Sequence, residues 1–438
     1  MHLRSGADNP YIGIVIFVIT LIFFLGLILV PIGIYFAKEE VKERFETHIS
    51  DRLTARRRLL WVLGITTAVN VFIGTQLTYR GVEHMESVQF CGQSCHVMKP
   101  EFMAYQFSPH SRIACVDCHV APGVKGLVES KMSGTRQLIE TVLDSAPKPI
   151  PTALESGRLV PSKETCEHCH WAEKFAAVRL RVITRFADDE ANTPSQSVLL
   201  MLVGGSRTKG IHGSHFAPGI EIWFAKVDPK RQKIPVVEYR NVKSGVKRIY
   251  KSSDAQGTNQ DLEMVQMQCV DCHNRPTHTF ELPERAVDRA MMGGFLPSTL
   301  PYLKKKSVEI LKANYSTSDE AAKKIPSSLG DYYKNTYPDI YQSRKSDIEQ
   351  AGSMVAKLYG RNVFPELKVT WGTYPNNAGH TDFPGCFRCH DEDHKTADGM
   401  TITQDCETCH VPLAMEETSP QILETLGLKK RLDSYLKR

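Results

Sequence analysis

The pentapeptide Cys-x-x-Cys-His occurs five times in this 438-residue chain: Cys115–His119 reads CVDCH, Cys166–His170 CEHCH, Cys269–His273 CVDCH, Cys386–His390 CFRCH and Cys406–His410 CETCH. At this composition chance supplies about 0.01 copies. A near-match, FCGQSCHVM, carries Cys91 and Cys95 with three residues between them, then His96. The six pairs (Cys91 and Cys95, Cys115 and Cys118, Cys166 and Cys169, Cys269 and Cys272, Cys386 and Cys389, Cys406 and Cys409) use all twelve cysteines. An even count invites a disulfide framework, but this spacing argues for another chemistry. Two thiols so placed reach the two vinyl groups on one porphyrin edge as thioethers, and the next residue turns its imidazole to the iron. Zinc also uses Cys-x-x-Cys pairs, yet needs neither a His after every second Cys nor one pair per site. The expectation is six covalently bound c-type haems, with His96, His119, His170, His273, His390 and His410 as proximal ligands.

The ligand on the far side of each iron separates an electron carrier from a substrate-binding haem. Outside the motifs, His110, His212, His215, His278, His380 and His394 stand in loop contexts with Gly, Pro or Asn nearby. A loop there can bring a side chain onto a haem face. These six are the expected distal ligands, and His212 and His215 serve either two haems or one. His84 is a weaker candidate and His168 is confined inside a motif. Met98, two residues after His96, is a further candidate, since a thioether is an accepted axial ligand. Packing is the alternative role for that methionine.

Residues 9–37 contain no charge, and residues 59–79 are a second, more polar apolar segment between Arg58 and Arg80. A bilayer needs about 20 apolar residues, so two transmembrane helices, 11–37 and 59–79, are expected. Between them, segment 38–58 carries seven basic residues against five acidic ones. The positive-inside rule makes it a cytoplasmic loop. Everything after residue 80 then lies outside the cytoplasmic membrane, the compartment in which bacteria attach c-type haem. The formal charge of +5 is offset by haem propionates and gives no reason to expect a nucleic-acid partner.

The expected fold class is mainly α with irregular loops: two N-terminal transmembrane helices, then a cytochrome c domain packed around covalent haems, with a small β-rich insert. The divisions are a membrane anchor (1–80), a haem core with three sites (81–180), a β-rich insert (181–268), a fourth haem site with a helical segment (269–375), and a C-terminal haem pair with a basic helical tail (376–438). In the insert, GIEIWFAKVD and KIPVVEYRNVKSGVKRIYKS read as strands turning near Lys243-Ser244-Gly245. Ser316-Thr317-Ser318-Asp319 resembles a capping box before EAAKKI.

FCGQSCHVMKPEF, then His110 in SPHSR, then CVDCHVAPGV and a Lys-bearing helix resemble the membrane-anchored quinol dehydrogenases of the NapC/NirT/NrfH type, over roughly residues 59–180. The later part resembles longer relatives with extra haems. The resemblance implies oxidation of membrane quinol, with menaquinol favoured, at the outer membrane face. Electrons then pass to a periplasmic cytochrome or reductase, in anaerobic respiration at the inner membrane. It implies a first haem beside the quinol pocket, with Met98 opposite His96 or in its place, and His110 as a distal ligand. Lys131 matches the family's quinol-site lysine. The family's acid about two turns further on is apolar here, with Glu140 nearby. The chain departs in having two apparent spans, six sites and a stretched first motif. Two other readings stand beside this one: a relay subunit of a larger membrane complex without its own quinol site, and a terminal nitrogen-oxide reductase. Whether the chain is an enzyme in its own right, a homo-oligomer or a complex subunit is left open.

A haemochrome assay is expected to give six haems per chain, and mass spectrometry to find haem on the peptide carrying Cys91 and Cys95. Five haems and an unmodified peptide would limit attachment to the regular motifs.

Overall fold

The computed structural model describes residues 24–29, 32–33, 35–36, 52–171, 178–205, 210–255 and 262–430. The chain divides into two units, Met1–Lys99 with Ala114–Val116, and Pro100–Ile113 with Asp117–Arg438.

The first unit is dominated by the helix Arg52–Met85, 34 residues and about 51 Å long at 1.5 Å per residue. Within it, Arg56–Met85 is long and apolar enough to cross a membrane, whose hydrocarbon core is about 30 Å thick. Trp61 and Phe72 on this helix are 69% and 66% exposed, as lipid-facing side chains would be. The two spans suggested by the sequence are corrected here: among the described residues one helix meets the test, not two. Most of segment 11–37 lies outside the described residues. The boundary changes too. Arg56, Arg57 and Arg58, assigned to a loop, are helical, since Arg has high helix propensity and nothing interrupts the run into the apolar segment. Ser87 then caps a short helix, Val88–Gln93, its hydroxyl accepting from Phe90 N. A 3-10 turn follows at His96–Met98.

The second unit contains two antiparallel sheets. One has the order β1-β2-β7, formed by Arg179–Phe186, Pro194–Met201 and His410–Glu417. The other has the order β5-β4-β3-β6, formed by Val246–Lys251, Val236–Asn241, Ile220–Ala225 and Met264–Gln266. The β4–β5 turn is held by Asn241, whose side-chain oxygen accepts from the amides of Lys243 and Ser244. Gly245 completes it at φ 71, a left-handed conformation that glycine adopts without a Cβ clash.

The remainder of this unit's apolar core is helical. Helices Pro283–Met292, Leu303–Lys312, Ser318–Thr336 and Lys345–Asn362 share one buried cluster. Ala321, Ile325, Leu329 and Tyr333 repeat every four residues and are fully buried, the stripe a 3.6-residue period turns to one side. Thr317 caps their helix by accepting from Glu320 N at 3.0 Å. At Gly352 a Cβ would lie 2.9 Å from Pro326 Cα, so the two longest helices of the cluster meet where one has no side chain. Lys304 and Asp288 pair at 2.6 Å while both are buried. Asp288 also accepts from the amide of Phe186 in β1, fastening the helical cluster to the first sheet. In the expected basic helical tail the described residues are helical at Gln421–Thr425 and again at 429–430; residues 431–438 lie outside the described residues.

Truncating Leu329 to Ala removes a fully buried side chain, and the expected cost is about 2–5 kcal/mol. Hydrogen–deuterium exchange should show it as lost protection across residues 283–362, with protection of the haem motifs retained.

Candidate haem-binding sites

Each regular motif folds as one tight turn. Cys115–His119 and Cys269–Cys272 are α-helical, while Cys166–His168, Gly385–Arg388 and Cys406–Thr408 are 3-10 turns. The amide of the motif histidine donates to the first cysteine's carbonyl from His170 to Cys166 at 2.8 Å, from His273 to Cys269 at 2.8 Å and from His390 to Cys386 at 3.0 Å. Such an i to i+4 bond stacks the first cysteine and the histidine on one side of the turn. The twelve cysteines, all among the described residues, form no disulfide. Among the described residues no group of three or more His, Cys, Asp or Glu side chains is gathered into a metal cage.

The first motif is built differently. Cys91 belongs to the helix Val88–Gln93, whereas Cys95 is extended, at φ −117 and ψ 118, and precedes the turn that carries His96 and Met98. Burial and then the charge of Cys91 push the Cys95 thiol up.

Five distal candidates each face a motif histidine. Ring centres are 5.9 Å apart for His110 and His170, 6.1 Å for His119 and His278, 6.2 Å for His212 and His273, 5.8 Å for His215 and His390, and 6.2 Å for His380 and His410. An imidazole nitrogen binds a first-row metal at about 2.0–2.1 Å and lies roughly 1.1 Å from its ring centre. Two rings on one metal ion therefore have centres about 6.2 Å apart, and all five pairs fall close to that. The donor set fits haem: a thioether-forming cysteine pair and two imidazoles per site, at the separation one iron requires.

The ring nitrogens are oriented for the task. Nδ1 of His110, His215, His278 and His390 faces the main-chain carbonyl of Pro276, Ile211, Glu101 and Thr403 respectively, at 3.3, 2.6, 2.9 and 2.9 Å. A carbonyl only accepts, so Nδ1 carries the proton and Nε2 keeps its lone pair for a metal. Burial holds His119, His212, His215, His273, His278 and His410 below the usual histidine range. At His119, His212, His215 and His410 the facing imidazole pushes the same way. The neutral ring is the one that ligates.

Local chain geometry delivers these pairs. One six-residue helix, Ile211–Phe216, presents His212 to His273 and His215 to His390. The loop carrying His380 folds back on the motif that follows it, with Cys386 N donating to Gly379 O at 3.0 Å. At Gly385, φ +51, a Cβ would sit 1.6 Å from that same oxygen, so only glycine closes the loop. Arg388, inside the Cys386 motif, donates to Asp271 O, inside the Cys269 motif, at 2.6 Å.

The motifs of this unit are also neighbours in sequence order. After burial, the thiolate charge of Cys166 pushes up both Cys118 and Cys269. Burial takes Cys272 to about 12, with Cys386 next in effect, and Cys386 likewise follows burial as a cause at Cys409.

His394 is placed otherwise. It is buried, its Nδ1 lies 2.9 Å from Asp391 Oδ1 and its Nε2 2.6 Å from Ile234 O. Protein oxygens stand at both of its ring nitrogens and it faces no motif histidine among the described residues, so the geometry does not bring it into the ligand set. His84 rests edge-on against Phe90, and His168 lies in its motif turn. In the helix Gly123–Val142, Lys131 and Glu140 are nine residues apart, about 180° around a 3.6-residue helix. Glu140 pairs with Arg136 at 2.7 Å. The two therefore cannot face one pocket. Sequence reasoning missed Glu101 and Arg275, which lie behind His278; they are 174 residues apart, and nothing local in either stretch announces the contact.

Residues 54–180 match the NapC/NirT cytochrome c family, N-terminal region. The chain is 38% identical over 426 residues to the cytochrome c-type protein ImcH of Geobacter sulfurreducens, covering 94% of this chain and 83% of that one. It is 28% identical over 92 residues to the cytochrome c-type protein TorC of Escherichia coli K12, covering 19% of this chain and 23% of that one. No solved structure matches. With the membrane-length helix and the repeated attachment motif, these likenesses identify the molecule: the chain belongs to the NapC/NirT cytochrome c family, as an inner-membrane, periplasm-facing multihaem c-type cytochrome of electron transfer.

Proposed function

We propose that this cytochrome oxidises membrane quinol, with menaquinol favoured, at the outer face of the cytoplasmic membrane and relays the electrons through six haems to a periplasmic cytochrome or reductase. The observation that carries the relay is the set of five imidazole pairs at 5.8–6.2 Å. Each haem, when bound, supplies one-electron iron redox chemistry. The protein's part is to hold and order it. In this assignment His119 and His278 hold the second site, His170 and His110 the third, His273 and His212 the fourth, His390 and His215 the fifth, and His410 and His380 the sixth. Two protein ligands per iron leave no coordination position for a substrate, which favours electron transfer over a terminal reductase at these five sites.

The first site is assigned to Cys91, Cys95, His96 and Met98, with Met98 opposite His96 or replacing it. The match of residues 54–180 to the family supports reading this as the site beside quinol. Lys131 is the proposed cation there; its ammonium would stabilise the deprotonated quinol oxygen by charge attraction. Glu140 is left out, because its helix turns it away from Lys131.

Two experiments test this. His380→Ala should convert one haem from low to high spin in low-temperature spectra of the full-length protein, whereas His394→Ala should leave the low-spin count unchanged. Equal behaviour of the two variants would refute the ligand assignment. Lys131→Ala should keep all haems yet lower menaquinol-analogue oxidation at least tenfold; undiminished oxidation would remove Lys131 from the site. Failure of the unaltered protein to accept electrons from any quinol analogue would instead favour a relay subunit fed by a partner.

A further inference from the structure

Glu101 is 7% exposed and Arg275 6% exposed, an acid and a base almost wholly removed from water. Arg275 Nη2 donates to both carboxylate oxygens of Glu101, at 3.1 and 3.0 Å. Its Nε donates to the carbonyl of His278 at 2.6 Å. The guanidinium also lies over the rings of Tyr374 and Phe280, 4.6 and 5.2 Å from their centres. His278 in turn presents Nδ1 to two oxygens of one residue: the main-chain carbonyl of Glu101 at 2.9 Å and its carboxylate Oε2 at 3.2 Å. On its other side His278 faces His119 at 6.1 Å between ring centres.

The corresponding nitrogens of His110, His215 and His390 meet main-chain carbonyls. A carbonyl fixes the ring, but carries no net charge. A carboxylate beside Nδ1 both fixes the ring and makes the ligand more basic. Adding one electron to a ferric centre removes one positive charge. A carboxylate close to the ligand therefore favours the ferric form, and in a water-poor interior that effect is weakly screened. Arg275, bonded to both the carboxylate and the carbonyl of His278, offsets part of it.

From this geometry we infer that Glu101 is a positioning residue for the His119–His278 haem: its main-chain carbonyl holds the distal imidazole, and its carboxylate beside the same nitrogen lowers the reduction potential of that haem relative to a neutral partner. The inference rests on the ligand assignment proposed above. Placed at the second site, a lowered potential would make that haem a strong donor to the sites after it and a poor store of electrons. Arg275 keeps the carboxylate in place from behind.

The test is a potentiometric titration of the full-length, haem-loaded protein followed in the visible α band, with low-temperature spin-state spectra on the same samples. Glu101→Gln keeps the volume and the main-chain contact but removes the charge. One haem should then titrate at a higher potential, its ratio of oxidised to reduced forms at fixed potential falling about tenfold, equivalent to about 59 mV for one electron. Haem content and low-spin character should be retained. Glu101→Asp, which keeps the charge on a shorter arm, should restore at least half of the shift. An unchanged set of potentials in Glu101→Gln overturns the inference, as does a new high-spin signal, which would mean that the residue only holds the ligand in place. His278→Ala separates the two layers. A high-spin haem in that variant upholds the ligand assignment whatever Glu101 does, and its absence overturns the assignment and the inference together.

Discussion

Two neutral imidazoles facing one another across about 6 Å set the terms for the second unit. A motif delivers one ring by its own turn, because Cys and His four residues apart share a side of it. The second ring must come from elsewhere and arrive within a few tenths of an ångström. The connections between motifs are organised around that demand. A single short helix, Ile211–Phe216, presents two histidines to two different motifs. The His380 loop closes on Gly385 because no other residue leaves room for Gly379 O. The stitch from Arg388 to Asp271 ties one motif to the next.

Burial makes these pairs usable and would make their loss costly. Removing imidazole from water disfavours its cation, so the rings reach a metal already neutral. The same dryness is met elsewhere with paired charges. Glu101 with Arg275 and Asp288 with Lys304 are both buried and both hydrogen-bonded. A pair of this kind returns little net stability, since desolvation consumes most of the attraction, yet breaking one partner costs about 3–5 kcal/mol. Such pairs hold position more than they add stability. That is the quality needed at His278, where Arg275 grips both Glu101 and the histidine's own carbonyl.

Much of this was legible in the sequence, for a physical reason. Thioether attachment demands fixed spacing, so the five motifs announced themselves, and a residue such as His380 stood out because its loop had glycine and asparagine to bend with. The structure then separated histidines that looked alike. His394 sits in the same kind of loop as His380, but Asp391 and Ile234 O take both its nitrogens. The acceptor at Ile234 is 160 residues away, and no local pattern encodes it. Glu101 was overlooked for the same reason. Helical periodicity decided one matter that motif spacing had left open, since Lys131 and Glu140 are near in number and opposite in direction. The loop before this helix was drawn too long because hydropathy falls at the arginines while the helix runs through them.

The stretched first motif follows the same logic. In the regular motifs one turn holds both thiols and the histidine, and the imidazole is aimed by the turn itself. With one more residue, Cys91 lies within the helix Val88–Gln93 and Cys95 is extended beyond its end. His96 is carried by the next turn, which it shares with Met98. The aim of the ligand is thereby uncoupled from the attachment of the ring. In the ligand assignment proposed above, such a site would offer its iron His96 or Met98 while its two cysteines stayed where they are.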